Sequence, residues 1–463
     1  MNEEHRALRE QLLFATPPGG FGAAAASVRE RLAAERATAG PALGAALADL
    51  VAELTIDLGS ELARWHLQAP GRADAVPDAE LGAAVDAGRA LLDAWGEGGR
   101  RAAVDAELAS IAASNLRRIN RLADAGTINT RWGHDAAVGL TWAIRRGAVL
   151  VTTNPVMVNT VRKEDPATWG PVRDALVAAN PAATPEQRAS LMTMTVVLDE
   201  LRELRPIWTA TGGRFGKVSL QINPRNNADG ALMAAEVEDL WARLQVELGG
   251  TPNAMFKIPG TRAGLDAVRR LTAQGIGVTV TVNASVDQCL AFGEVIEQGT
   301  AAESFLVLML GRLDDPVRDE LVAAGLPDAV EVSRWASVAV LRRAYPLLFE
   351  ERGFRRSAIL AASMRGPWSI DGSIVAGPST VFATCFPDKA REYDSVERTV
   401  AAHETEPLPA GIEEKLAASR TFREAYGVGA LPPEAFDGFV PVTQTLAQFN
   451  RNYDEFVDWL ADA

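Results

Sequence analysis

Two patterns of apolar residues divide the chain. Up to about residue 120 they recur at helical spacing, as at Leu43, Ala46, Leu47, Leu50, Val51 and Leu54, in a stretch rich in Ala, Leu, Arg and Glu. Breaks at Pro17-Pro18-Gly19-Gly20 and Ala69-Pro70-Gly71 cut this stretch into several helices. It carries no metal, nucleotide or nucleophile signature. Residues 1–120 are therefore expected to be a helical extension that packs on the remainder or makes a subunit contact, the second role implying a homo-oligomer.

From about residue 125 short β-branched runs alternate with amphipathic helical stretches. The runs are Thr127–Asn129, Val149–Thr152, Val218–Ile222, Ala254–Ile258, Val278–Val282, Phe305–Met309, Ala358–Ala361 and Ser373–Ala376. Helices are predicted over Asp135–Arg146, Glu186–Glu203, Ala228–Leu248, Arg262–Gln274, Val286–Gln298 and Val332–Arg343. Eight strands alternating with helices predict an α/β fold, a parallel (β/α)₈ barrel, over residues 121–463. A doubly wound sheet would carry a glycine-rich turn after its first strand, and none is present there. The segment from Thr445 to Leu460 reads as a closing amphipathic helix whose aromatic residues pack across the barrel.

Composition narrows the function classes. Hydrophobic residues make up 48% of the 463, enough for a large core and against global disorder. A balance of 46 basic and 60 acidic residues gives a net charge of −14, which disfavours nucleic acid and anionic membranes as partners while leaving room for a local anion site. The two cysteines, Cys289 and Cys385, are far apart and in no metal-like spacing, so no disulfide framework and no metal site are expected. The segment Met1 to His5 is too polar for a signal peptide, and no apolar stretch is long enough to cross a bilayer, so a cytoplasmic protein is the expectation.

In such a barrel, chemistry collects at the C-terminal ends of the strands. Lys257 lies there, flanked by Met255, Phe256, Ile258 and Pro259, with no acid in the local sequence. Desolvation lowers a lysine pKa toward neutrality, and a neutral amine is a nucleophile toward a ketone. An ion pair with an acid from another strand is the structural alternative. Polar groups end neighbouring strands: Thr152, Thr153 and Asn154 on the second, Gln221 on the third, and Thr281, followed by Asn283 and Ser285, on the fifth. Each could satisfy a backbone group, but their convergence on one lysine is harder to ascribe to packing.

Five ordered segments resemble the transaldolase family. They are Thr152-Thr153-Asn154-Pro155; Phe256-Lys257-Ile258-Pro259-Gly260-Thr261-Arg262-Ala263-Gly264; Gly275 to Thr281 followed by Ser285; Gly311-Arg312; and Ala361-Ala362-Ser363-Met364-Arg365. The resemblance covers roughly residues 125 to 463. It implies a Schiff-base lysine at Lys257, a water held by Thr281, and Asn154 with Thr153 and Ser285 around a dihydroxyacetone unit. Arg312 and Arg365, with the Ser363 hydroxyl, would clamp the phosphate of a sugar phosphate, a task suited to bidentate donors. No cofactor is implied.

Three departures qualify the activity. The family's first strand ends in an aspartate, and the best match here is Ile128-Asn129-Thr130, whose amide cannot take a proton. Asp124 and Asp135 lie nearby, but using either needs a register shift, and Asp135 opens a predicted helix. Gln221 stands where transaldolases carry glutamate and where the related fructose-6-phosphate aldolases carry glutamine. Met309 stands where an aromatic residue is common. Asn129 and Gln221 are thus expected to join Lys257 and Thr281 in the catalytic set. The expected activity is transfer or release of a dihydroxyacetone unit from a ketose phosphate. The alternative is a catalytically altered barrel that binds sugar phosphate without efficient transfer.

Overall fold

Eight parallel strands pair in sequence order and close on themselves, the first hydrogen-bonded to both the second and the last. The computed structural model describes residues 3–68 and 76–462, so Met1, Asn2 and the Ala69-Pro70-Gly71 break lie outside the described residues. The strands are β1 (Thr130–Asp135), β2 (Leu150–Thr152), β3 (Lys217–Gln221), β4 (Ala254–Pro259), β5 (Val278–Thr281), β6 (Ser304–Met309), β7 (Ser357–Ala362) and β8 (Val381–Cys385). Every strand residue is buried, because helices cover the outer face and side chains fill the inner one. This is the (β/α)₈ barrel the alternation predicted.

Side-chain caps explain where several of these helices begin. Asn154 accepts from the N–H groups of Val156 and Met157 at the start of Pro155–Glu164. Thr184 and Gln187 form a reciprocal box at the start of Pro185–Ala210. Thr261 and Ser285 cap Arg262–Ala273 and Val286–Glu297. The closing helix, Val440–Ala461, buries Phe449, Tyr453 and Phe456 against Pro155–Glu164 and Pro185–Ala210.

Two predicted strands are displaced. β1 is not Thr127–Asn129 but begins directly after that run, at Thr130, and continues to Asp135. Its sequence, Thr-Arg-Trp-Gly-His-Asp, has no apolar alternation, and its polar groups are satisfied only in the folded chain. Arg131 pairs with Asp124 at 2.8 Å, the Trp132 indole donates to Arg146 O at 3.0 Å, and a His134 ring nitrogen meets Val138 O at 2.7 Å. Gly133 is required by close approach, since a Cβ there would meet Leu150 at 2.7 Å. The helix expected over Asp135–Arg146 is correspondingly shorter, Leu140–Arg145, preceded by Gly139 in the left-handed region. The eighth run, Ser373–Ala376, is a connection: Val375 N donates to Thr130 Oγ1 and Val375 O accepts from Asn129 N. The strand lies later, at β8.

All elements before β1 in the described residues are helical, and their core is continuous with that of the barrel. In helix Pro41–Leu58 the buried stripe includes Leu47, Leu50, Val51 and Leu54, whereas Leu43 is 56% exposed. The two regions are tied by buried charge. Asp57, 1% exposed, accepts from Arg145 Nε at 2.7 Å and faces His5 Nε2 at 2.7 Å. Burial alone would raise this carboxyl, but the His5 hydrogen bond and the Arg145 charge hold it below its ordinary range. Asp57→Ala leaves Arg145 with only the half-exposed Glu53, and we expect a loss of about 3 kcal/mol in urea unfolding at neutral pH. Because the folded-state pKa is depressed, this contribution is present above the unfolded value near 4 and fades as pH falls through the lower folded one.

Candidate active site

Lys257 projects from β4 into the barrel and is 7% exposed. Its register partners are Gln221 on β3 and Thr279 on β5, and Thr281 lies opposite Pro259. Burial lowers the amine pKa to about 8, and the Asp135 carboxylate pulls it back upward. Asp135 ends β1, 5% exposed. Burial raises its carboxyl, while the charge of Lys257 and a 2.7 Å hydrogen bond from Thr152 Oγ1 oppose that rise. A buried amine and a buried carboxyl therefore shift each other from strands β4 and β1. Both have their proton affinities drawn toward neutrality, a pattern suited to proton transfer.

The surrounding polar groups fall into two sets. Those with free capacity face ligand chemistry. Asn154 uses Oδ1 as a helix cap at 3.0 and 3.1 Å, and its Nδ2 has no partner among the described residues. Among the described residues the Thr281 hydroxyl meets only Met309 Sδ, at 3.9 Å. Gln221 donates to its neighbour's carbonyl, Ile222 O, at 3.2 Å, and its Oε1 is buried without a partner among the described residues. The second set is spent on the fold. Thr153 Oγ1 donates to Ser219 O at 2.9 Å, and Ser285 Oγ donates to Gln288 Oε1 and accepts from Gln288 N, both at 3.1 Å.

Asn129 is in neither set. It precedes β1, donates from Nδ2 to Gly377 O at 2.9 Å, and accepts from Thr380 Oγ1 at 2.7 Å. It stands six residue steps along the chain from Asp135, about 20 Å at the usual strand rise. The residue at the C-terminal end of β1 is Asp135, which the assumed register had put in a helix. Gly139 was the available signal, since a glycine four residues into that run marks a poor helix interior and a good break.

Beyond β6 and β7, Arg312 and Arg365 come near one another. Arg365 pairs with Asp315 at 2.7 Å and donates to Ser363 Oγ at 3.1 Å. Arg312 donates from Nη2 to Gln448 of the closing helix, and its Nε is buried without a partner. Burial and the charge of Arg365 lower the Arg312 pKa, with only Asp315 opposing. Asp315 pairs with Arg365 and also with Arg318, at 3.2 Å, so the guanidiniums around it outnumber its charge and leave capacity for an anion. Gly311 permits this approach, because a Cβ there would run into the Arg365 guanidinium. Backbone strain marks the same rim: Val282, directly after Thr281, has φ 55°, and Ser363 has φ 62°.

Residues 141–426, which carry Lys257, Arg312 and Arg365, match the family model Transaldolase/Fructose-6-phosphate aldolase. The chain belongs to the transaldolase/fructose-6-phosphate aldolase family. It is 31% identical over 212 residues to a transaldolase of Parafrankia sp., covering 42% of this chain and 55% of the relative. It is 31% identical to transaldolase 1 of Streptomyces avermitilis, with 42% and 52% covered. With a transaldolase of Arthrobacter sp. it shares 28% identity, over 52% and 67% of the two chains. The chain thus spans about half the length of the first two of these relatives. The transaldolase-family match begins after β1, so Asp135 lies outside it. Among the described residues, no cluster could hold a metal ion and no helix is long and apolar enough to cross a membrane. Both cysteines are free and buried.

Proposed function

We propose that this protein is a transaldolase-type enzyme in which Lys257 forms a Schiff base with a ketose phosphate and transfers or releases a dihydroxyacetone unit. The observation that carries the reading is the buried Lys257 amine, its pKa drawn to about 8, in the field of the Asp135 carboxyl. The neutral amine attacks the ketone carbon, and loss of water from the carbinolamine leaves an iminium ion. The iminium accepts the electron pair of the C3–C4 bond as that bond breaks. Asp135 then serves as the base that takes the C4 hydroxyl proton, from the end of the first strand, where Asn129 with its amide was expected to stand. The free Nδ2 of Asn154 would bind a dihydroxyacetone hydroxyl, the Thr281 hydroxyl a water, and Arg312 with Arg365 and Ser363 the phosphate.

Reduction with borohydride in the presence of fructose 6-phosphate is expected to add mass at Lys257 in a peptide map. An adduct elsewhere, or none with any ketose phosphate tried, sinks the proposal. The trapping rate should rise with pH toward a plateau above about 8, because the reactive form is the neutral amine and only about a tenth is neutral at pH 7. Gln221 favours a second reading. Its uncharged amide, turned to its own strand's carbonyl, suits a barrel that binds sugar phosphate without efficient transfer. Phosphate-ester binding without an adduct would select that reading.

A further inference from the structure

A cleft of about 510 Å³ opens in the helical region ahead of the barrel, bordered by segments Glu61–Gln68, Asp78–Ala94 and Asn115–Asp124. Four arginines, Arg64, Arg89, Arg117 and Arg121, line it with two aspartates, Asp78 and Asp86. Beside the arginines lies Glu61, its side chain 4% exposed. One oxygen of that carboxylate, Oε1, receives Arg117 Nε and Arg121 Nη2, each at 2.7 Å. Two guanidiniums thus share a single acceptor atom. Arg64 has one ionic partner among the described residues, Asp78 at 2.7 Å, whose side chain is 80% exposed, and its own Nε is buried without a partner. Arg89 differs, being met by Asp86 and Asp105 at 2.9 Å each.

Around Glu61 and Asp78 the guanidiniums of Arg64, Arg117 and Arg121 outnumber the carboxylates by one, while Arg89 is itself outnumbered by Asp86 and Asp105, so the excess is local to the Arg64, Arg117 and Arg121 side of the cleft. The crowding registers at Arg121. Burial lowers its pKa, Glu61 opposes this, and Arg117 and Arg64 lower it further. We propose that this cleft is a second anion site, in which Arg64, Arg117 and Arg121 take a phosphate dianion, free or carried by a small metabolite. Guanidinium forks match phosphate oxygens, and Arg117 and Arg121 are held in place by Glu61 while retaining unused N–H donors. The Arg64–Asp78 contact is solvent-screened and open to exchange for a more highly charged partner. The volume lies within the roughly 300–1,000 Å³ common for small-molecule sites. The site is distinct from Arg312 and Arg365 and does not depend on the role of Lys257.

The test uses the full chain carrying Arg312→Gln and Arg365→Gln, so that phosphate affinity at the barrel mouth is removed. Calorimetric titration with glucose 6-phosphate and, separately, inorganic phosphate should give one site per chain, weakened by salt. The tighter of the two ligands identifies the source of the phosphate. Adding Arg64→Gln should raise Kd about tenfold. This substitution leaves the Glu61 pair intact, and an unchanged melting curve and circular dichroism spectrum confirm the fold. The proposal fails if neither ligand binds at about 1 mM. It also fails if Arg64→Gln leaves Kd within about twofold of its parent, a change well below the loss of one charge-assisted hydrogen bond.

Discussion

Lys257→Met is expected to abolish ketose turnover and to make the protein more stable. Under the proposed Schiff-base mechanism this removes the covalent route, a fall of at least about 10³-fold in kcat/KM. The gain in stability has a separate origin. An amine with a pKa near 10.5 in the unfolded chain and about 8 in the folded one disfavours folding by about 3 kcal/mol at pH 7. The sign follows from proton binding. Between pH 8 and 10.5 the unfolded chain holds a proton that the folded chain has lost, so wild-type stability rises with pH across that window and the penalty is full below it. Methionine removes the penalty, but Asp135 then loses the charge that favours its ionised form, which returns part of the gain. A net increase of about 1–2 kcal/mol in urea unfolding at pH 7 is expected, vanishing toward pH 10. A variant no more stable than wild type at pH 7 would mean that the Lys257 amine is not desolvated as the geometry requires.

Asp135→Asn should separate adduct formation from carbon–carbon cleavage. Asparagine keeps the size of the side chain and can still accept from Thr152 Oγ1, but it cannot accept the C4 proton. A general base typically contributes 10²–10⁴-fold, so kcat should fall by about 10²-fold or more while borohydride still traps ketose on Lys257. The lysine pKa should also fall, because Asp135 is the charge that holds it up, and trapping should reach its plateau at lower pH. Asn129→Asp is the matched control. Its side chain is spent on Gly377 O and Thr380 Oγ1 at the opposite end of β1, so the substitution should alter stability and leave the ratio of trapping to turnover unchanged. Should Asn129→Asp change that ratio and Asp135→Asn not, the assignment of the base is reversed.

Of the two displaced strands, β1 differs from the other six in composition, whereas β8, Val-Phe-Ala-Thr-Cys, does not. Six strands were legible because their residues are β-branched or apolar, as in Val278–Thr281 and Ser304–Met309, where burial on both faces selects such side chains directly. β1 was not legible, because Arg131, Trp132, His134 and Asp135 are tolerated in its interior only through partners on other segments: Asp124, Arg146, Val138 and Thr152. In the site, Lys257 and Thr281 were visible from strand pattern alone. The distinction between Asn154, with a free donor, and Thr153 and Ser285, spent on the fold, was not, since all three are small polar residues after a strand.

By itself the sequence determined the barrel class, the strand bearing Lys257, and the order of the segments around it, because periodicity and motif spacing are local properties of the chain. Tertiary structure decided which acid faces Lys257. A strand's register fixes which residue reaches the mouth, and for β1 that register is held by contacts to Asp124, Leu150 and Thr152 rather than by its own pattern. It also decided the pKa of the lysine, which depends on burial and on the charge of Asp135, a residue 122 positions earlier in the chain (257 − 135).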